Sequence, residues 1–529
     1  MTTYDYLIRN GRVYDGSGGA PFDGDVAIQG DTIAAVARRV EGHARAVIDV
    51  RGLAVAPGFI NMLSWAVWSL IEDGRAQSDI RQGVTLEVMG EDMSMGPILS
   101  EAAAQMAREM RGDLEHDIAW TTLGEYLAYL EARGVSPNVA SFVGAGTVRA
   151  NAVGLENRPP TTTELDHMRA QVRQAMEEGA MGLASALIYV PSCFYTTGEL
   201  IALAEAAAAY DGLYISHLRS EGDHLLEALD EFLTIARHAG ARAEVYHLKM
   251  SGGANWDKLD AVIAKIEAAR AEGLPITADM YTYPASSTGL DASLPQWARE
   301  GGLEALLARL SDPATRACVR QEIDGDPENM LLVGFDRDAL KPLTGKTLAE
   351  IAAMRGVPWQ DAAMDLLTED RSRVGTVYFT MLEDNVRRQI ALPWVSFGSD
   401  GAALAPEGAF LKSSTHPRAY GNFARVLGRY VREAGVIALE EAIRRLTTLP
   451  AATLRLDRRG ALKPGYFADV VIFDPDTVQD HATFTHPHQY ATGVSHVFVN
   501  GAPVLWEGDH TGATPGRVVR GPGWGRAGA

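Results

Sequence analysis

The chain has 529 residues, 47% of them hydrophobic and 22% charged, enough for a large core and two domains. A formal net charge of −20 argues against bulk binding of nucleic acid or anionic lipid, which needs clustered cations, so an anionic ligand requires local ones. Two cysteines, Cys193 and Cys318, exclude a disulfide framework; with no apolar signal core at the start and no run of about 18 apolar residues, a cytoplasmic enzyme is expected.

In chain order, Val26 to Val36 is two apolar stretches around Gly30-Asp31 and reads as an antiparallel hairpin. Near the other end, Ala468 to Asp474 reads as a strand, and Val497 to Leu505 as a hairpin turning on Asn500-Gly501, a type I′ pair. Neither group covers a hydrophobic face alone, so residues 1–56 and 455–529 are expected to build one small β-sandwich domain. Between them, over 57–454, apolar runs alternate with helix-like stretches. The runs are Ala54 to Leu63, Val84 to Met89, Val139 to Val143, Gly182 to Val190, Gly212 to His217, Ala243 to His247, Ile276 to Tyr281 and Trp394 to Phe397. After His217, Leu225, Leu226, Leu229, Phe232, Leu233 and Ala236 keep helical spacing. Eight strands alternating with helices predict a (β/α)8 TIM barrel with its site at the C-terminal strand ends. Residues 291–350 break the rhythm and are expected to form an inserted lid.

The candidate site residues end these runs. His217 and His247 stand in matching contexts, Tyr-Ile-Ser-His-Leu-Arg and Glu-Val-Tyr-His-Leu-Lys. A strand, helix and strand take roughly 30 residues, so the two imidazoles suit neighbouring parallel strands and one shared metal. Alternation puts Arg219 and Lys249 on the same faces as the histidines. The second strand ends Gly90-Glu91-Asp92. If Leu86 and Val88 face the helices, Thr85, Glu87, Met89 and Glu91 face inward, which favours Glu91 over Asp92 as a ligand. One carboxylate and two imidazoles make a three-ligand catalytic zinc set with a fourth position open. Asp400, in Gly398-Ser399-Asp400-Gly401 at the end of the eighth strand, is placed to accept a proton from water and pass it to a leaving amine. His43, His116, His167, His224 and His238 read as surface residues, and His486 and His488 as loop residues; His416 follows the eighth strand and is open to either assignment.

Taken together, these segments resemble the D-aminoacylase branch of the amidohydrolase superfamily. The likeness runs through Ala56-Pro57-Gly58-Phe59-Ile60, Leu187-Ile188-Tyr189-Val190-Pro191, both His-Leu-basic strands and Tyr283-Pro284-Ala285-Ser286-Ser287-Thr288. It continues through His416-Pro417-Arg418-Ala419-Tyr420-Gly421 and Leu462-Lys463-Pro464-Gly465. The resemblance implies hydrolysis of an N-acyl amino acid, with the D form expected, and a small-molecule substrate rather than nucleic acid or membrane; a homo-oligomer is left open. It also implies that Lys249 and Arg418 bind the substrate's carboxylate while Tyr189, Tyr281 and Ser287 shape the pocket. The chain departs from the family's pattern where Asn61-Met62-Leu63-Ser64-Trp65 replaces Asp-x-His-x-His, where Gly90-Glu91-Asp92-Met93 replaces Gly-Asn-Cys-Gly so that a carboxylate stands in for the metal-binding cysteine, and at Ala145, where a histidine is common. Of the family's two metal positions the resemblance then implies one, held by Glu91, His217 and His247, with Leu63 and Trp65 filling the other with apolar bulk. One Zn2+ per subunit is expected. The alternatives are another amide, cyclic imide or carbamate as substrate, or a non-catalytic scaffold.

Overall fold

A computed structural model describes residues 3–526. The first two and last three residues of the expected terminal domain lie outside it. Its architecture is a (β/α)8 barrel with a β domain built from both ends of the chain. Thr3–Val13 pairs with Phe22–Gln29 along one edge, and with His43–Asp49 and then Ala54–Pro57 along the other. Ala54–Pro57 also pairs antiparallel with Val470–Phe473, which joins the N-terminal strands to the C-terminal hairpin Val494–Val499 and Ala502–Trp506. That hairpin turns on Asn500 and Gly501, at φ +48° and +80°, as a type I′ turn requires. Ile8, Val26, Ile28, Val55, Val470, Ile472 and Phe498 form an apolar core that neither end could assemble alone.

The barrel strands are β1 (Phe59–Asn61), β2 (Val84–Met89), β3 (Asn138–Ser141 continued by Val143–Gly144), β4 (Gly182–Ala186), β5 (Leu213–His217), β6 (Arg242–Val245), β7 (Ile276–Met280) and β8 (Val395–Phe397). Neighbouring strands pair in parallel. The ring closes where Met62 N donates to Phe397 O at 3.3 Å. The run from Ala54 to Leu63 is therefore two strands, not one: the portion before Gly58 belongs to the terminal sheet. Ala451, Leu454 and Val519 pack onto the interior residues and close the bottom of the barrel. Between β7 and β8 the chain builds an antiparallel sheet of Ser286–Gly289, Gly375–Tyr378 and Met330–Gly334. With its helices this insertion has its own core, including Leu306, Leu332, Ile351 and Leu366, and spans more chain than 291–350. No helix among the described residues is long and apolar enough to cross a membrane.

The facing of β2 differs from the expectation. Leu86 and Val88 point into the barrel, clustered with Ile60, Phe142, Ile215 and Tyr246 from other strands. Glu87 points outward to Asn61, and Met89 meets Tyr126 of the helix Leu123–Arg133. Glu91 still enters the barrel mouth, because Gly90 at φ +102° interrupts the alternation that would have carried it outward. A Cβ at Gly90 would lie 2.4 Å from Phe142 O and 2.7 Å from Ser141 Oγ.

Gly90→Ala is therefore expected to lower the midpoint of thermal inactivation and to weaken metal retention together, with a backbone cost on the order of 2 kcal/mol before the clash is counted. Gly112→Ala, also at positive φ but with open space around it, is the control. Equal losses in both variants contradict the assignment.

Candidate metal centre

Glu91, His217 and His247 are buried, and one ligand atom from each lies within 4.8 Å of the others. His247 Nε2 is 3.1 Å from Glu91 Oε1 and 3.0 Å from His217 Nδ1, which is itself 3.5 Å from Glu91 Oε1. Ligand atoms bound at 2.0–2.1 Å in a tetrahedral zinc site stand roughly 3.3 Å apart, so this donor set fits that ion. His217 ends β5, but the β5–β6 register pairs Leu213 with Arg242 and Ser216 with Val245, which sets Tyr246, not His247, opposite it. The spacing of thirty is thus one residue out of step. His247 recovers the inward direction by taking φ +31°, held by its N–H donating to Asp279 Oδ1 at 2.9 Å.

Asp92 turns away from the cluster. Its Oδ1 accepts from Gly146 N at 3.1 Å, Ala186 N at 3.0 Å and Ser192 Oγ at 2.5 Å, tying the end of β2 to the ends of β3 and β4. Burial pushes its carboxyl up to about 7, with Glu91 adding to the effect.

The outer nitrogens of both histidines meet a residue that sequence reasoning missed. Glu221 Oε2 is 3.5 Å from His217 Nε2, and Oε1 is 3.2 Å from His247 Nδ1. Such a carboxylate fixes which nitrogen of each ring faces the metal. Lys249 Nζ lies 2.5 Å from Glu221 Oε1 and 2.7 Å from His247 Nδ1, so its charge is already committed. Burial pushes Glu91 and Glu221 upward, but His247, His217 and, for Glu221, Lys249 overcome it and hold both well below the usual carboxylate range. Burial and Lys249 push His247 down, yet Glu91 and Glu221 outweigh them and raise it to about 10. His217 is lowered, chiefly by burial. Glu221 escaped notice because it sits in the loop after β5, where strand periodicity says nothing; its offset of four from His217 is the only signal.

Asp400 lies past β8 at φ +48°. Trp65 Nε1 donates to its Oδ1 at 3.0 Å, and Arg418 Nη1 stands 2.8 Å from its Oδ2. Burial raises its pKa, with Arg418 and His247 pulling the other way. Arg418 lies over the Tyr281 ring at 4.5 Å; its Nη1 is the group paired with Asp400, and its buried Nε has no hydrogen-bond acceptor. Tyr189 OH donates to Thr288 Oγ1 at 2.9 Å and Ser287 Oγ to Thr376 O at 3.0 Å. Trp65, Tyr189, Tyr281, Ser287, Asp400 and Arg418, with the metal cluster, line one cavity of about 1540 Å³ between the barrel mouth and the insertion. Arg373, missed in the sequence, joins that wall over the Tyr189 ring at 5.2 Å and pairs with Asp291.

Arg219 does not offer a free cation to this cavity. Its guanidinium binds Glu231 and the carbonyls of Cys193 and Tyr195. His416 is structural, accepting from Arg418 N at 3.0 Å and contacting Ala285 O at 3.0 Å. Leu63 joins the interior apolar cluster, but Trp65 is more than bulk, since its N–H is aimed at Asp400.

The model of the amidohydrolase family matches residues 46–505. D-Aminoacylase of Alcaligenes xylosoxydans xylosoxydans is 34% identical over 523 residues, 98% of this chain and 97% of that protein. N-acyl-D-glutamate deacylase of the same organism is 35% identical, with 98% and 96% covered. A crystal structure of N-acyl-D-glutamate deacylase from Bordetella bronchiseptica, complexed with zinc and a phosphonate mimic of the reaction's tetrahedral intermediate, has a TM-score of 0.83 and 32% identity, with 98% of this chain and 100% of that one covered.

Glu221→Gln is expected to weaken zinc affinity about 10- to 100-fold, measured by competition with a chromophoric chelator, while the far-ultraviolet circular dichroism stays unchanged. Parent-like affinity contradicts a role for Glu221 in orienting the histidines.

Proposed function

The chain belongs to the amidohydrolase family, and on that premise we propose that it hydrolyses the amide bond of N-acyl amino acids, with N-acyl-D-amino acids the expected class, using one zinc ion per chain. The observation that carries this reading is the Arg418 guanidinium, whose buried Nε has no acceptor in the same cavity as Glu91, His217 and His247. A buried unpaired donor is costly, and a substrate carboxylate satisfies it while sharing the guanidinium, which can bind more than one acceptor, with Asp400. Because Lys249 is engaged by Glu221, the carboxylate is assigned first to Arg418, and Lys249 supports the cluster electrostatically. Tyr281, Tyr189 and Ser287 form the wall beside it.

Glu91, His217 and His247 would hold the ion. Zinc bound there would supply Lewis acidity toward the amide carbonyl and would lower the pKa of water toward about 7. Asp400 removes a proton from the attacking water as its oxygen bonds to the acyl carbon. It then returns that proton to the departing nitrogen as the C–N bond breaks, giving a carboxylate and a free amine. Arg418 favours the ionised form of Asp400 against the upward push of burial.

Elemental analysis after extensive dialysis is expected to give one zinc per chain; two ions, or none, contradict the proposed centre. Asp400→Asn should retain that zinc and lose at least about 100-fold in turnover. Turnover within tenfold of the parent contradicts its role. A panel of N-acyl-D- and N-acyl-L-amino acids set against hydantoins tests the substrate class, and preferential hydrolysis of hydantoins overturns it.

A further inference from the structure

We propose that Trp65 is a positioning residue for Asp400, its indole N–H fixing one carboxylate oxygen while Arg418 approaches the other. The inference rests on the reading of Asp400 as the proton carrier. The contacts are 3.0 Å from Trp65 Nε1 to Oδ1 and 2.8 Å from Arg418 Nη1 to Oδ2. The backbones on either side are tied as well: Trp65 N donates to Gly401 O and Asp400 N to Leu63 O, each at 2.9 Å. The indole is thus a further, side-chain tie across the seam between β8 and β1. Leucine or phenylalanine would fill the same space; only a donor at this point also addresses the carboxylate.

The need for that donor follows from how Arg418 is shared. In the free protein its charge serves Asp400, but a substrate carboxylate bound to the same guanidinium divides it between two anions. The indole contact is not divided. It keeps Asp400 oriented, and favours its charged form, at the stage when the proton is to be taken. Other ionisable groups facing Asp400 include His247, Glu91, Lys249 and Asp279; the first two belong to the metal cluster, Lys249 is held by Glu221, and Asp279 accepts from His247 N.

The test uses the zinc-loaded full chain. Trp65→Phe keeps aromatic bulk and removes the donor. Zinc content and KM should stay within twofold, kcat should fall about tenfold, as for loss of a hydrogen bond to a charged group, and the acid limb of kcat/KM should move to higher pH. The sign follows because losing a donor to the charged form raises the pKa of a base that acts only when ionised. A kcat within twofold with an unmoved limb overturns the proposal. A second readout does not depend on activity. The Trp65 indole ¹H–¹⁵N resonance, assigned by its loss in Trp65→Phe, should move upfield in Asp400→Ala. An unmoved resonance overturns the proposal even if the substrate class proves different, and failure of every N-acyl amino acid as substrate bears on the function while leaving the resonance to decide this one.

Discussion

Everything at the barrel mouth depends on how one buried cluster of charge is balanced. Glu91, Glu221, His217, His247 and Lys249 are withdrawn from water together, and ions in such a place are tolerated only when their partners are close and well aimed. Glu91 faces the inner nitrogens of the two histidines, and Glu221 faces their outer ones and Lys249. Remove Glu91 and the inner nitrogens lose their anion; remove Glu221 and Lys249 loses the carboxylate it pairs with. The same requirement explains the backbone around the cluster. Gly90, Asp92, His247 and Asp400 all take positive φ, a conformation that is unfavourable for residues with a side chain. Each such residue is held by bonds to another strand end: Asp92 through Gly146 and Ala186, His247 through Asp279, Asp400 through Leu63.

This arrangement also accounts for a first strand without metal-binding histidines. Asn61 turns outward, donating to Glu87 and Ser399 and accepting from Ser399 N. Leu63 fills the interior, and Trp65 reaches Asp400. The carboxylate after β8 is therefore supported by neutral and cationic donors of the chain itself. A non-catalytic scaffold would have little reason to keep Arg418 buried with its Nε unfilled, because an apolar replacement of similar volume is often as stable.

The barrel was legible because its signals are periodic. Runs of apolar residues separated by helical spacing marked the eight strands, and the residues ending them, Glu91, His217, His247 and Asp400, are the ones that gather in one cavity. What periodicity could not convey were the departures from it. Alternation along β2 suggested that Glu87 and Glu91 share a face, yet Gly90 breaks the strand between them, so Glu91 reaches the cluster by a different route from the one inferred. The interval between the histidines fitted adjacent strands, although the true register is one residue short and a positive φ makes up the difference. Loop residues carried no comparable signal, which is why Glu221 and Arg373 were missed and Trp65 was taken only for its bulk. Arg219 showed the converse: its place beside His217 suggested a cavity cation, while Glu231 on the following helix had already claimed it.

The central claim is a single zinc held by two imidazoles and one carboxylate, and X-ray absorption at the zinc edge of the purified protein tests it most directly. The account predicts a first shell of nitrogen and oxygen only, at about 2.0–2.2 Å, with outer-shell scattering of two histidine rings and no metal neighbour. Sulfur in the first shell, or a metal–metal distance of about 3.5–4 Å, would contradict it.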